Sequence, residues 1–250
     1  MADYRATSTE FTAVADAIRT KGGTSAQLTW PNGFVSAVQA IPSGGGSGKE
    51  DDIIDGTISE YSNSSVTAIR NYAFAECAAL ISVDFPAVTT IGSYAFTSCS
   101  SLEEISFPSA TSIYVRAFNS CSKLKSAFFP LVTEIGANAF ANCSSLSIIS
   151  FPNAVTVSTS AFASCLSLST AYFGAVDSIG HDAFKACKNL TDIHLTDSSV
   201  CTLVSSDAFS MTPIAGYLSR NGSIYVPASL LAEYQAANNW SFYSSRFRSA

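Results

Sequence analysis

The chain has 250 residues, 47% of them hydrophobic and only 13% charged, with 13 Lys plus Arg against 19 Asp plus Glu and a net charge of −6. That length allows a sizeable core. The acidic balance, without any Lys/Arg cluster, argues against nucleic acid as a partner, because neutralising phosphates requires a basic surface.

In chain order, the first segment is residues 1–42, which read as a small helical module. Phe11, Val14, Ala15 and Ile18 follow helical spacing, and Gly22-Gly23 stops that helix. A turn at Trp30-Pro31-Asn32-Gly33 leads to a second apolar stripe, Phe34, Val38 and Ile41. A unit of this size without Cys or His rarely folds alone, so it is expected to dock, by self-association or in a larger assembly. Residues 43–48, Ser-Gly-Gly-Gly-Ser-Gly, form a flexible linker. Lys49 follows as in a phosphate-binding loop, but position 43 is not Gly and Glu50 stands where Ser or Thr is needed. No basic n-region with an apolar run opens the chain, so no secretory leader is expected, and no stretch approaches the roughly 18 apolar residues of a membrane-spanning helix.

A repeat domain is expected over 49–250, with caps at about 49–69 and 210–250. Cys77, Cys99, Cys121, Cys143, Cys165 and Cys187 recur with a constant period of 22. An Ala-Phe pair precedes each, from Ala73-Phe74 to Ala183-Phe184, and a Leu follows three positions later, from Leu80 to Leu190. Each Leu opens a pattern such as Leu102-x-x-Ile105-x-Phe107, the core of a leucine-rich repeat, and the period falls in the range of such units. The fold class predicted is therefore an α/β repeat solenoid: a right-handed leucine-rich repeat coil with one short parallel strand per repeat and a turn of helix or irregular chain between strands. Toward the C-terminus the pattern decays. Ala208-Phe209 comes three positions later than the period would place it, and Thr212 stands in the Cys position. A last strand at 223–227, a helix-like stretch at 228–238 and the aromatics Trp240, Phe242 and Tyr243 then close the solenoid.

Stacked coils bring equivalent Cα atoms about 4.8 Å apart, within reach of a disulfide, but parallel side chains keep the Cβ atoms too far apart and unconverged. The six Cys are thus expected to be a ladder of buried free thiols that serve turn carbonyls, with disulfides the lesser reading. Zinc is disfavoured, because no C-x-x-C pair exists and His181 and His194 do not repeat with the Cys. No catalytic constellation, metal site or cofactor site emerges, so the chain reads as non-enzymatic.

Between the inward residues of each strand, two outward rows are predicted: Ser82, Glu104, Ser126, Ile148, Thr170, Asp192, and Asp84, Ser106, Phe128, Ser150, Tyr172, His194. Phe128, Ile148, Tyr172 and His194 are the candidate ligand-binding residues, since exposed apolar groups on neighbouring coils can mark a partner site. The plain alternative is that they form a patch without a ligand.

The unit I-G-x-x-A-F-x-x-C-x-x-L-x-x-I-x-F-P resembles the BspA-like bacterial leucine-rich repeats, over about residues 53–243. That resemblance implies surface or secreted proteins of host-associated bacteria, some linked to adhesion. The segment Ala15-Asp-Ala-Ile-Arg-x-Lys-Gly-Gly-Thr-Ser with Trp30-Pro-Asn-Gly-Phe is similar to short modules of phage and prophage tail-associated proteins of gut bacteria. Together they imply a tail-associated binding protein, attached through residues 1–42 and virion-associated or extracellular after lysis. The alternative is a bacterial cell-surface or secreted adhesin. The receptor, protein or glycan, is not named by the sequence.

Overall fold

The computed structural model describes residues 59–217 and 221–250, so the module expected at 1–42 and the linker at 43–48 lie outside the described residues. From residue 59 onward the chain winds as stacked coils, one per repeat, and every strand pairing is parallel. The fold class read from the sequence is a repeat solenoid, and that is what forms. Two of its details differ.

The first concerns strand number. Each coil carries two strands instead of one. The longer lies in the L-x-x-I-x-F stretch, for example Glu104–Ser106, Ile148–Phe151 and Thr170–Phe173. The second is only two residues long and sits at the Ile that precedes the turn: Ala68–Ile69, Thr90–Ile91, Ser112–Ile113, Glu134–Ile135, Thr156–Val157, Ser178–Ile179 and Thr202–Leu203. These short strands make one unbroken seven-stranded sheet. Each has one outward and one buried residue, so Ile69, Ile91, Ile113, Ile135, Val157, Ile179 and Leu203 line up inside. The longer strands form two sheets, one of three strands ending at Glu104–Ser106 and one of six starting at Ser126–Phe128.

The second difference concerns helix content. The Ala-Phe stretch does not form a helical turn. Two residues per coil, four apart, adopt positive φ, as in Tyr94 (60°) and Ser98 (60°) or Asn138 (56°) and Asn142 (63°). A left-handed residue stops helix propagation at once. The backbone N–H groups then alternate. Those of Tyr94, Phe96 and Ser98 donate to carbonyls of Val115, Ala117 and Asn119 in the next coil, while those of Ala95, Thr97 and Cys99 donate three residues back. The same alternation holds in neighbouring coils, so each turn spends half its donors on stacking.

The interior is built of columns. Phe74, Phe96, Phe118, Phe140, Phe162, Phe184 and Phe209 stack at 5.0–5.4 Å between ring centroids with planes within 11°. A second column, Phe85, Phe107, Phe129, Phe151 and Phe173, stacks at 5.5–6.2 Å and meets the first at tilted or edge contacts. Such geometry suits the ring quadrupole and adds to simple burial.

Cys99, Cys121, Cys143, Cys165 and Cys187 are fully buried, and Cys77 at the first rung is partly so. Each buried thiol donates to the carbonyl of the Phe one coil back: Cys99 to Phe74, Cys121 to Phe96, Cys143 to Phe118, Cys165 to Phe140 and Cys187 to Phe162, at 2.9–3.1 Å. The ladder expectation is met in its positive part, since the sulfurs are core groups that serve turn carbonyls. Burial pushes the Cys143 thiol up to about 12 and raises Cys121 and Cys165 as well. On the outside, hydroxyls do what charges do elsewhere. Ser147, Ser169 and Thr191 each donate to the carbonyl one coil back, so a surface with few charges still satisfies its polar backbone.

At the C-terminal end, Ser223–Val226 joins the six-stranded sheet and is followed by the short helix α1 (Leu231–Ala236), a 3-10 segment (Trp240–Arg246) and a final strand, Phe247–Ser249, that pairs alongside it. Trp240 and Tyr243 close over Phe209, the last ring of the inner column, with Tyr234 and Phe247 packed behind Trp240. The Trp240 indole N–H donates to the Cys201 carbonyl at 2.7 Å. Phe242, read from sequence with the closing aromatics, instead points outward at 75% exposure.

Candidate functional site

The strand alternation fixes which side chains leave the six-stranded sheet. Its register aligns Phe128, Ser150, Tyr172, His194, Tyr225 and Arg248 in one row. The neighbouring row is Ser126, Ile148, Thr170, Asp192 and Ser223. The four residues singled out from sequence therefore share one face. Phe128 is 57% exposed and Tyr172 41% exposed, while Ile148 and His194 are half-buried.

They do not form one continuous surface. His194 lies between Tyr172 and Tyr225, stacked at 4.5 and 4.6 Å with planes within 16°. Phe128 stands apart, because the position between it and Tyr172 is Ser150. On its other side the ladder pairing is interrupted. Glu104–Ser106 belongs to the three-stranded sheet, and Ile105 is only partly buried where Val83, Ala127 and Ile149 are buried. Lys125 and Glu103 form an ion pair beside this interruption.

Sequence reading missed Tyr225 and Arg248 as members of the row. Tyr225 pairs with His194 but follows it by more than one repeat length, so the period does not carry it. The available signal was the alternation within Ser223–Val226, which puts Ile224 and Val226 inside and Tyr225 outside. Burial between the two tyrosines lowers the His194 pKa, and the Asp192 carboxylate opposes that shift. His194 is therefore a neutral stacking group near neutral pH.

A smaller aromatic group lies on the turns of the first coils. Tyr72 stacks on Tyr94 at 4.8 Å, and the Arg116 guanidinium lies over the Tyr94 ring at 5.6 Å. His181 lies in a turn nearer the other end of the array and pairs with Asp207 at 3.6 Å. Among the described residues no group of His, Cys, Asp and Glu is arranged to hold a metal ion, and no helix is long and apolar enough to cross a membrane. The arrangement is one for stacking and hydrogen bonding across a broad face.

The family of BspA-type leucine-rich repeat regions matches in six copies over residues 58–169 and 111–230. The chain belongs to that family, whose repeats typically bind and do not catalyse. Among solved structures it is similar to a leucine-rich repeat protein of T. pallidum, at 24% identity over 53% of this chain and 78% of that one, with a TM-score of 0.42. It is also similar to a leucine-rich cell surface protein of Faecalibacterium prausnitzii, at 21% identity over 68% of this chain and 60% of that one, TM-score 0.39. A third is the pneumococcal vaccine antigen PcpA, at 17% identity over 77% of this chain and 40% of that one, TM-score 0.49. A comparison with curated proteins found none that matches. The family match begins at residue 58, so the likeness of the N-terminal segment to tail-associated modules finds no support in these comparisons.

Proposed function

We propose that the chain is a non-enzymatic bacterial adhesin, at the cell surface or secreted, that engages a receptor through the outward face of the six-stranded sheet. The observation that carries this reading is the aromatic row from Phe128 to Tyr225 on that face. A large exposed aromatic desolvates readily and supplies contact area at small conformational cost, which is why such residues concentrate at interface centres. Membership of the BspA-type family supports the surface adhesin over the tail-associated protein expected first, because the tail reading rested on residues outside the family match. Residues 1–42 are proposed as a docking or oligomerisation module. A comparison of solution mass between the full chain and residues 49–250 tests self-association, and two monomers with residues 1–42 unstructured would end the oligomerisation claim.

The receptor-binding test uses the full chain on arrays of purified extracellular proteins and glycans. Phe128→Ser combined with Tyr172→Ser is expected to abolish the strongest signal while the melting temperature stays within a few degrees of wild type. An unchanged signal in the double variant removes the face from consideration.

A further inference from the structure

The outward row is a stack of rings with one ring missing. Tyr172, His194 and Tyr225 follow one another at 4.5–4.6 Å. Ser150 occupies the next position and Phe128 the one after it. Two coil spacings thus separate the attachment points of Phe128 and Tyr172, about 9 to 10 Å at the usual strand separation. That gap is wide enough for one planar group to lie between two rings at the spacing the row already uses. Its floor is the Ser150 hydroxyl, flanked by Ile148 and Thr170 of the neighbouring row.

Resting on the receptor-binding reading of this face, we propose that the gap above Ser150 receives the guanidinium of an arginine presented by a partner protein. Three observations select that occupant. First, Tyr172 stacks one face on His194 and so turns the other toward the gap; aromatic faces attract cations, and a guanidinium is planar and weakly hydrated, unlike a lysine ammonium. Second, charge is complementary. The chain carries −6 overall, and on the six-stranded face the outward rows from Ser126 to His194 contain Asp192 and no Lys or Arg, Arg248 lying at the far end beyond Tyr225. Third, the molecule already makes both halves of the interaction with its own side chains. Arg116 lies over Tyr94, and His194, a planar nitrogenous ring, is held between Tyr172 and Tyr225. The Ser150 and Thr170 hydroxyls supply acceptors for the guanidinium N–H groups that project past the rings. A neutral sugar ring would use the same walls but would gain nothing from the negative net charge of the chain.

The test compares equally charged probes, a nona-arginine and a nona-lysine peptide, on the full-length protein. Wild type is expected to prefer the arginine peptide by about five- to thirtyfold, the effect of two stacking contacts. Arginine side-chain protons should shift upfield in NMR spectra of the wild type, and that shift should disappear in Ser150→Tyr, which leaves the other exposed rings such as Phe242 unchanged. Ser150→Tyr fills the missing position with a residue the row accepts at 172 and 225, so it should fold, and it is expected to equalise the two peptides. Phe128→Ser removes one wall and should reduce the preference by about half its logarithm. Equal affinity of wild type for both peptides, or a preference that survives Ser150→Tyr, overturns the proposal. So does a free monosaccharide that produces the ring-current shifts where arginine does not. If the array signal is lost in the Phe128/Tyr172 double variant while the arginine preference never appears, the face binds its receptor and the arginine gap alone is wrong.

Discussion

The inner phenylalanine column and the outward row from Phe128 to Arg248 repeat at the same coil spacing, yet they are covered to different degrees. Phe140 is enclosed on every side, with Phe118 and Phe162 at 5.1 and 5.3 Å and Phe129 and Phe151 at its edges. Phe128, a short way before it in the chain, is more than half exposed. The inner rings convert spacing into stability, because each one fills a hole that its neighbours define. The outer rings leave their edges in water, and the row is interrupted where Ser150 carries no ring. Periodicity alone therefore assigns no role. The side of the strand on which a ring falls does.

The sharpest way to break this contrast is to make the same substitution in both places. Phe140→Ala is expected to destabilise by about 3–5 kcal/mol in denaturant titrations. Phe128→Ala should stay within about 1 kcal/mol. Equal effects would mean that the outward row is structural. Next in size is Gly136→Ala. A Cβ there would lie 2.6 Å from the Tyr114 carbonyl carbon and 2.8 Å from the Ile113 oxygen, both backbone atoms of the preceding coil. Since neither can move aside, a loss of about 2–3 kcal/mol is expected.

Cys143→Ala removes the thiol donor of the Phe118 carbonyl and leaves a small void, for about 1–2 kcal/mol. In the same vein, native protein should react slowly with thiol reagents, while denatured, unreduced protein should yield all seven thiols of the chain. A much lower count would replace the ladder with disulfides. Ser164→Gly runs in the opposite direction. Ser164 sits at φ 62°, where a Cβ is strained, so relief is expected to stabilise by up to about 1 kcal/mol, less the extra freedom glycine has when unfolded.

The smallest effect belongs to His194. Its folded pKa lies below the ordinary 6.5 because burial disfavours the charged form. The unfolded chain therefore binds more protons in that window, and stability falls as pH drops below 6.5 toward the folded value. His194→Gln should flatten the melting profile between pH 7 and 5 without altering it above pH 7.

Much of this architecture was legible from spacing. The Cys, Phe and Leu columns are inside because identical residues at a fixed period must stack, and L-x-x-I-x-F fixes the outward rows by simple alternation. The two-residue strands were not legible, since a single outward–inward step is too short to show a period. Nor were the turns, because residues such as Tyr94 and Arg116 carry no glycine-like signal for positive φ. Their conformation is decided by donors aimed at the next coil. The interruption beside Ile105 and the entry of Tyr225 into the outward row likewise depend on how separate coils meet. The outward rows, with Ser150 between Phe128 and Tyr172, were thus legible, whereas the stacking of Tyr172, His194 and Tyr225 was not.

Thr212 has a consequence for the length of the molecule. It occupies the position where six earlier coils carry Cys, yet its hydroxyl donates at 2.7 Å to the carbonyl of Phe209, within its own coil, instead of reaching back to Phe184. Upstream of that point, from Cys121 to Cys187, successive coils repeat the same thiol-to-carbonyl contact and the same strand pairing, so a whole repeat can be spliced in or taken out there with joints already in use. At Thr212 that contact closes within one coil. The reach of the array, and with it how many outward rows a receptor can span, is an adjustable quantity that ends where Thr212 turns to its own coil and Trp240 and Tyr243 cover Phe209.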